Sequence, residues 1–259
     1  MSQWFAPLAA NPAQAGLFTD FDGTLAPIVD APEEARPVRG AAQTLTILAE
    51  RLGRVGVISG RPAAFLLRHV GAPKIGLWGL HGLETVEGGQ VVSVGATEEW
   101  RAVAVATAGR AAQELGPAVD VERKSQGVTL HYRRAPAEAE RVRAWAEAAA
   151  GATGLVPCPA RMSVELRPPI PHGKGQTLEA AAREAGLSAV AFAGDDVGDV
   201  AAFDALDRLA AGGAAVVRIG VNSEEAPPEL LARADLVLDG PDEVVAAFRE
   251  LASVLGGGR

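Results

Sequence analysis

Cysteine is almost missing from this chain. Cys158 is the only one, which excludes an intrachain disulfide and a multi-thiolate metal site and makes the cytoplasm the expected compartment. Long apolar runs are missing as well: the stretch nearest the beginning covers only residues 4–10, the first positive side chain is Arg36, and nothing approaches the ~18 apolar residues of a membrane span. Neither an export signal nor a membrane anchor is expected. There is no basic surplus either, since the formal charge is -8, the pI is near 5.1 and no run of Lys and Arg interrupts the acidity. A nucleic-acid backbone would find little to neutralise it. The expected partner is a small molecule met by a monomer, with neither nucleic acid nor membrane involved. Lysine is scarce while alanine, glycine and arginine are frequent, the mark of a GC-rich genome rather than of low complexity, and no internal repeat is visible.

What is present is enough apolar material, 48% of 259 residues, for one large core or a core with a smaller appended domain. Short apolar runs at 17–21, 55–59 and 75–80 predict strands, separated by helical spacing at 41–52 and, behind Pro62, at 63–70. The end of the chain repeats this, with strands expected at 189–193, 215–221 and 236–238 and helices at 176–184, 200–206 and 242–255. Such alternation predicts an α/β fold with a parallel sheet covered on both faces. The middle differs: a helix at 98–116, strands at 119–124 and 128–133, a charged amphipathic helix at 136–150, and strands at 155–158 and 162–167. These predict an α+β domain at 99–168 inserted into a core formed by 1–98 and 169–259. Period-two alternation puts Val119, Val121, Val128, Leu130, Tyr132, Met162, Val164 and Leu166 on one strand face. Glu122, Lys124, His131, Arg133, Glu165 and Arg167 take the other. A small sheet backed by helices with a solvated polar face accounts for this pattern in most proteins; a domain inserted between the halves of an α/β core is also well placed to close over a site.

The strongest local signal is Asp20-Phe21-Asp22-Gly23-Thr24 at the end of the first strand, where open α/β sheets place their ligands. Two carboxylates so close together ask for a cation. One of them can attack phosphorus as a nucleophile, while the other protonates a leaving oxygen and later activates water. Gly23 permits the turn, and Thr24 can hold the second carboxyl or donate to a phosphate oxygen. The alternative is a strand-end turn whose acids cap backbone amides. Gly194-Asp195-Asp196-Val197-Gly198-Asp199 follows another apolar strand and sets three more acids at a strand end. A helix cap absorbs one of them, hardly three, and hard divalent cations prefer such oxygens. Ser59-Gly60-Arg61 offers a hydroxyl and amides at a helix start, where anions bind. Lys174, in Gly173-Lys174-Gly175, stands at the wrong end of a helix for a cation, which points to an anionic partner.

These four elements, in this order and each at a strand end, resemble the haloacid dehalogenase superfamily of aspartate-nucleophile phosphatases over nearly the whole chain. The fold implied is a Rossmann-like parallel-sheet core of the haloacid dehalogenase type with an inserted α+β cap. A second set, Gly79-Leu80-His81-Gly82-Leu83-Glu84, Glu122-Arg123-Lys124, His131-Tyr132-Arg133, Glu165-Leu166-Arg167-Pro168 and Gly173-Lys174-Gly175, is similar to the trehalose-6-phosphate phosphatases within it. By that resemblance Asp20 is the nucleophile and Asp22 the general acid and base. Mg2+ is held by the Asp20 carboxylate, the Asp22 carbonyl and Asp195, with Asp196 and Asp199 behind them. Ser59 and Lys174 grip the phosphoryl group. Thr24, Arg61 and His81 line the substrate site, and Glu122, Lys124, His131, Arg133 and Glu165 are candidates for sugar hydroxyls. Where the family often reads Gly-Asp-Asp-x-Thr-Asp-Glu, this chain has Gly198 in place of the threonine and Val200 after Asp199. Two other readings compete: a phosphatase for another phosphorylated sugar, such as sucrose phosphate or a phosphorylated glycosyl-glycerate, and a sugar-phosphate sensor without turnover.

Overall fold

A computed structural model describes residues 2–29, 31–93, 98–124, 126–169, 173–223 and 226–257. Internal packing divides the chain into two compact units, Met1–Val94 with His172–Arg259, and Gly95–Pro171.

The first unit runs α1 (Ala6–Ala10), β1 (Ala15–Thr19), α2 (Ala41–Ala49), β2 (Arg54–Ile58), α3 (Ala63–Val70), β3 (Ile75–Gly79), β4 (Glu84–Glu87) and β5 (Gln90–Ser93). The second unit contributes α4 (Glu98–Leu115), β6 (Asp120–Arg123), β7 (Val128–His131), α5 (Ala139–Thr153), β8 (Val156–Ala160) and β9 (Ser163–Arg167). The first then resumes with α6 (Lys174–Glu184), β10 (Ala189–Gly194), α7 (Val197–Ala211), β11 (Ala215–Asn222), α8 (Pro228–Arg233), β12 (Leu236–Asp239) and α9 (Gly240–Gly256).

The first unit's eight strands lie in the order β12-β11-β10-β1-β2-β3-β4-β5. All are parallel from β12 to β3, while β4 and β5 form an antiparallel edge. Strands β1 and β10 are buried along their whole length, as a sheet covered on both faces requires. Alternate residues feed two cores. Leu17, Val55, Val57 and Ala191 join Leu45, Leu48, Phe248 and Leu251 on one face. On the other, Phe18, Ile58, Val190 and Phe192 join Leu178, Phe203 and Leu206. From β1 the chain moves outward to β2 and β3; after the insertion it returns to β10 on the other flank of β1. That reversal opens a crevice at the carboxyl ends of β1 and β10, where doubly wound sheets bind ligands.

Two expectations need correction. The first strand stops at Thr19 rather than running to 21, because residues 21–26 fold into a turn in which Leu25 and Ala26 amides donate to the Phe21 carbonyl and Gly23 donates to Ala26. The last aspartate-rich helix begins at Val197, not 200, because Asp196 and Asp199 cap its first turn reciprocally.

The second unit is a four-stranded antiparallel sheet in the order β6-β7-β9-β8. One face packs on α4 and α5 through Ala104, Ala111, Val142, Ala146, Val128, Leu130, Tyr132, Val164 and Leu166. The alternation therefore falls as the sequence pattern demands, with Glu122, Thr129 and Glu165 directly opposite one another on the other face.

Candidate active site

Asp20, Lys174, Asp195 and Asp199 meet at the β1–β10 crevice, and Ser59 stands at the end of the neighbouring β2. Asp20 follows β1, its amide still donating to Ala193 of β10 at 2.9 Å, and its residue is only 3% exposed. One carboxylate oxygen lies 2.9 Å from the Lys174 ammonium. Lys174 opens α6, and α6 can press against α7 because Gly175 has no side chain: a Cβ there would sit 2.2 Å from the Ala201 carbonyl oxygen. The same ammonium reaches Asp199 at 2.7 Å and Asp196 at 3.5 Å. Burial alone would depress this lysine, but Asp196, Asp199 and Asp20 hold it well above its ordinary value. Burial, reinforced by Asp196 and Asp195 and opposed by Lys174, pushes Asp20 up to about 7.

Three buried carboxylates, Asp20, Asp195 and Asp199, each present an oxygen within 4.8 Å of the others. They are not equivalent. Asp199 accepts from the Asp195 and Asp196 amides through Oδ2 and from Lys174 through Oδ1, so its oxygens are committed to the protein. Asp195 is held by the Thr24 hydroxyl on Oδ1 at 2.9 Å. Its other oxygen looks onto Gly23, where a Cβ would lie 2.0 Å away and where φ is +78°. The space over Asp195 therefore exists only because residue 23 is glycine. Hard, all-oxygen donors around a space of that kind fit Mg2+ better than a thiophilic metal. Contrary to the expectation that capping absorbs one aspartate, Asp196 and Asp199 both serve α7. Thr24 holds Asp195 rather than Asp22.

Asp22 points elsewhere. Its two carboxylate oxygens take parallel bonds from Arg61 Nε and Nη2 at 2.7 and 2.6 Å, while Arg61 Nη1 donates to the Pro32 carbonyl at 2.5 Å. Such a fork fixes a carboxylate in plane and register. Ser59 ends the β2 connection, is 1% exposed, and accepts the Arg61 amide through its hydroxyl at 3.2 Å. The start of α3, expected as an anion site, already holds an internal anion: the buried Glu84 carboxylate accepts the Ala63 amide at 2.8 Å.

The motif from Gly79 to Glu84, which the sequence marked only by its resemblance and by His81, is the segment that fixes Ser59. Leu80, His81 and Gly82 are consecutive left-handed residues, with φ of 49°, 58° and 104°, a conformation that costs non-glycine residues strain. Backbone bonds hold the turn against the Ser59–Arg61 segment: His81 N to Ser59 O at 2.9 Å and Leu80 N to Arg61 O at 2.9 Å. The Thr177 hydroxyl donates to the His81 carbonyl at 3.0 Å. Because Thr177 is on α6, three residues after Lys174, this bond ties the Ser59 loop to the helix that carries the lysine.

In the second unit, Lys124 pairs with Glu165 at 3.1 Å, both nearly buried, and His131 Nε2 lies 2.9 Å from Glu122. Arg133 is half-buried in the segment that follows β7.

A family model described as trehalose-phosphatase matches residues 18–229. The chain belongs to the trehalose-phosphatase family. A trehalose-phosphate phosphatase of Mycobacterium avium is 41% identical over 200 residues, which are 73% of this chain and 51% of that protein. The chain thus spans about half the length of the curated relatives it matches. Among solved structures, a trehalose-6-phosphate phosphatase related protein superposes with a TM-score of 0.78 at 23% identity, covering 94% of this chain and all of that one. A haloacid dehalogenase-like hydrolase from Bacteroides thetaiotaomicron superposes at 0.63 and 13% identity, covering 92% and 99%. The fold of this trehalose-phosphatase family member is accordingly of the haloacid dehalogenase type, as the four motifs implied. No helix among the described residues is long and apolar enough to cross a membrane.

Proposed function

We propose that this chain is a Mg2+-dependent phosphatase that hydrolyses trehalose 6-phosphate to trehalose and inorganic phosphate, as a monomer in the cytoplasm. The observation that carries the reading is the burial of Asp20 against Lys174 at 2.9 Å, beside the Asp195 and Asp199 carboxylates, in the crevice of the sheet. The names of the family and its relatives support the choice of sugar.

In this reading the Asp20 carboxylate attacks phosphorus, forming an aspartyl phosphate as the bond to the sugar oxygen breaks, and Asp22 gives that oxygen its proton. Water then loses a proton to Asp22 and attacks the same phosphorus, releasing phosphate and restoring Asp20. Asp22 has to exchange Arg61 for the leaving oxygen, so the fork is a resting position from which the carboxyl swings or through which it is aimed. Lys174 and Ser59 hold phosphoryl oxygens as charge spreads over them. The Asp20 and Asp195 carboxylates with the Asp22 carbonyl would hold Mg2+. When bound, that ion supplies neutralisation of phosphoryl charge. Arg61 and His81 border the phosphoryl group, and Glu122, Lys124, His131, Arg133 and Glu165 bind sugar hydroxyls.

The test is phosphate release from trehalose 6-phosphate, glucose 6-phosphate and sucrose 6-phosphate, each with Mg2+ and with EDTA. Release confined to trehalose 6-phosphate and abolished by EDTA is expected. Preference for another sugar would overturn the substrate and leave the chemistry; no release from any, with binding retained, would favour a sensor.

A further inference from the structure

Besides the Thr107 hydroxyl and Arg110 Nε on α4, the second unit buries the Thr129 hydroxyl and both ends of the Gln126 amide without a hydrogen-bond partner among the described residues, and these last two belong to the sheet and its β6–β7 connection. Thr129 is 4% exposed and Gln126 is 0% exposed. Burial of a hydroxyl or amide without a partner costs free energy that no contact returns, so either the groups are misfits or something outside the chain completes them. Their setting decides between these. Thr129 occupies the middle of a crosswise row, opposite Glu122 on β6 and Glu165 on β9. It therefore sits between two side chains already assigned to sugar hydroxyls, on the polar face of the sheet and away from its helix-packed core. Gln126 lies in the tight connection between β6 and β7, closed by the Lys124 amide donating to the Gly127 carbonyl at 2.9 Å, one residue removed from the lysine that pairs with Glu165.

We propose that Thr129 and Gln126 are sugar-binding residues that help set specificity, pairing with hydroxyls of the disaccharide. This rests on the phosphatase reading above. A hydroxyl both donates and accepts, and an amide offers one donor end and one acceptor end, so both suit the mixed donor-acceptor surface of a sugar better than an anion or an apolar group. A site whose polar groups stay unmet unless the right hydroxyl arrives rejects a substrate that lacks it.

Thr129→Val tests this cleanly, because the two side chains have one shape and the hydroxyl has no bond to lose in the free protein. The variant should unfold at the same or a higher urea concentration than wild type, while its KM for trehalose 6-phosphate rises by about three- to tenfold, the worth of one net hydrogen bond. Its kcat on that substrate, and its KM for p-nitrophenyl phosphate, should stay put. Thr129→Ser should restore the wild-type KM. Gln126→Met, similar in length, should behave like the valine variant. A valine variant that loses stability with KM unchanged would overturn the proposal, since the hydroxyl would then serve the fold. An equal rise in KM on the aryl phosphate would overturn it too. Calorimetric binding of trehalose 6-phosphate in EDTA, where no turnover is expected, reads the Thr129 effect in Kd; wild type that binds there yet releases no phosphate when Mg2+ is supplied refutes the phosphatase reading and leaves the Thr129 effect standing.

Discussion

Lys174→Met should unfold the first unit far more easily than any loss of packing explains. Methionine keeps the length and apolar stem of the lysine and removes only its charge. That charge is 3% exposed and lies 2.7 Å from Asp199, 2.9 Å from Asp20 and 3.5 Å from Asp196. Removing one partner of a buried ion pair costs about 3–5 kcal/mol, because the other partner stays behind uncompensated. In a protein of this size each kcal/mol moves the melting temperature by roughly 2–4 °C, so a fall of about 6–20 °C is expected in EDTA. The deficit should also depend on pH. Asp20 is pushed up to about 7 by burial, with Asp196 and Asp195 adding to the rise and Lys174 restraining it. A carboxyl raised in the folded state binds more protons folded than unfolded. Its contribution is complete below the ordinary 3.8 and is lost as pH climbs through the folded value. Without Lys174 that loss is larger, so the gap between variant and wild type should be wide at pH 8 and narrow at pH 5. Urea titrations at both pH values measure it. A gap under about 1 kcal/mol, or one equal at pH 5 and 8, would refute the assignment of Lys174 as the counter-charge of the cluster.

Gly23→Ala should raise the Mg2+ concentration needed for half-maximal phosphate release by more than about tenfold, since one methyl group would sit 2.0 Å from Asp195 Oδ2; calorimetric Mg2+ titration checks it, and an unchanged affinity would remove Asp195 from the metal site. Arg61→Lys keeps the charge but not the fork on Asp22, and kcat on trehalose 6-phosphate should fall by about tenfold to a hundredfold through misplacement of the acid. Thr177→Val should lower kcat with little change in KM, and Thr177→Ser should recover it, if the bond to His81 holds the Ser59 loop in register with Lys174.

The parallel sheet was legible because buried strands leave short apolar runs and the acids stand where those runs stop. Once β1, β2 and β10 are adjacent and parallel, Asp20, Ser59 and Asp195 have to emerge on one edge, whatever the intervening chain does. What escaped the reading is pairwise. The β4–β5 hairpin carried a fair signal, Gly88-Gly89 between alternating residues, both in the left-handed region that a two-residue turn requires. The partner of Asp22 did not, since Arg61 is 39 positions away and the same arginine fits a phosphate equally well on paper. Thr24 and Glu84 were open in the same way: a hydroxyl has many possible acceptors and a carboxylate many possible donors, and tertiary packing chooses among them. Thr129 reads as an ordinary β-branched strand residue, and only the fold buries its hydroxyl without a partner among the described residues.

The unmet groups and the crowded acids are one kind of feature. Around Asp20 the protein buries Asp195 and Asp199 and packs a single lysine among them and Asp196. A fold selected for stability alone would replace such a cluster with apolar side chains, often at a gain. Burial, with the neighbouring Asp196 and Asp195 charges, raises Asp20; in the proposed reading the same charges would attract a divalent cation, with proton release because a ligand carboxyl has to be ionised. Capping resolves part of the excess, since Asp196 and Asp199 spend their oxygens on the first turn of α7 and on Lys174, and Asp20 and Asp195 are the pair proposed above for the metal. In the second unit the deficit is of hydrogen bonds rather than of charge, at Thr129 and Gln126. On the readings proposed above, a hard cation would meet the converging carboxylates, and a polyhydroxyl molecule the hydroxyl and the amide.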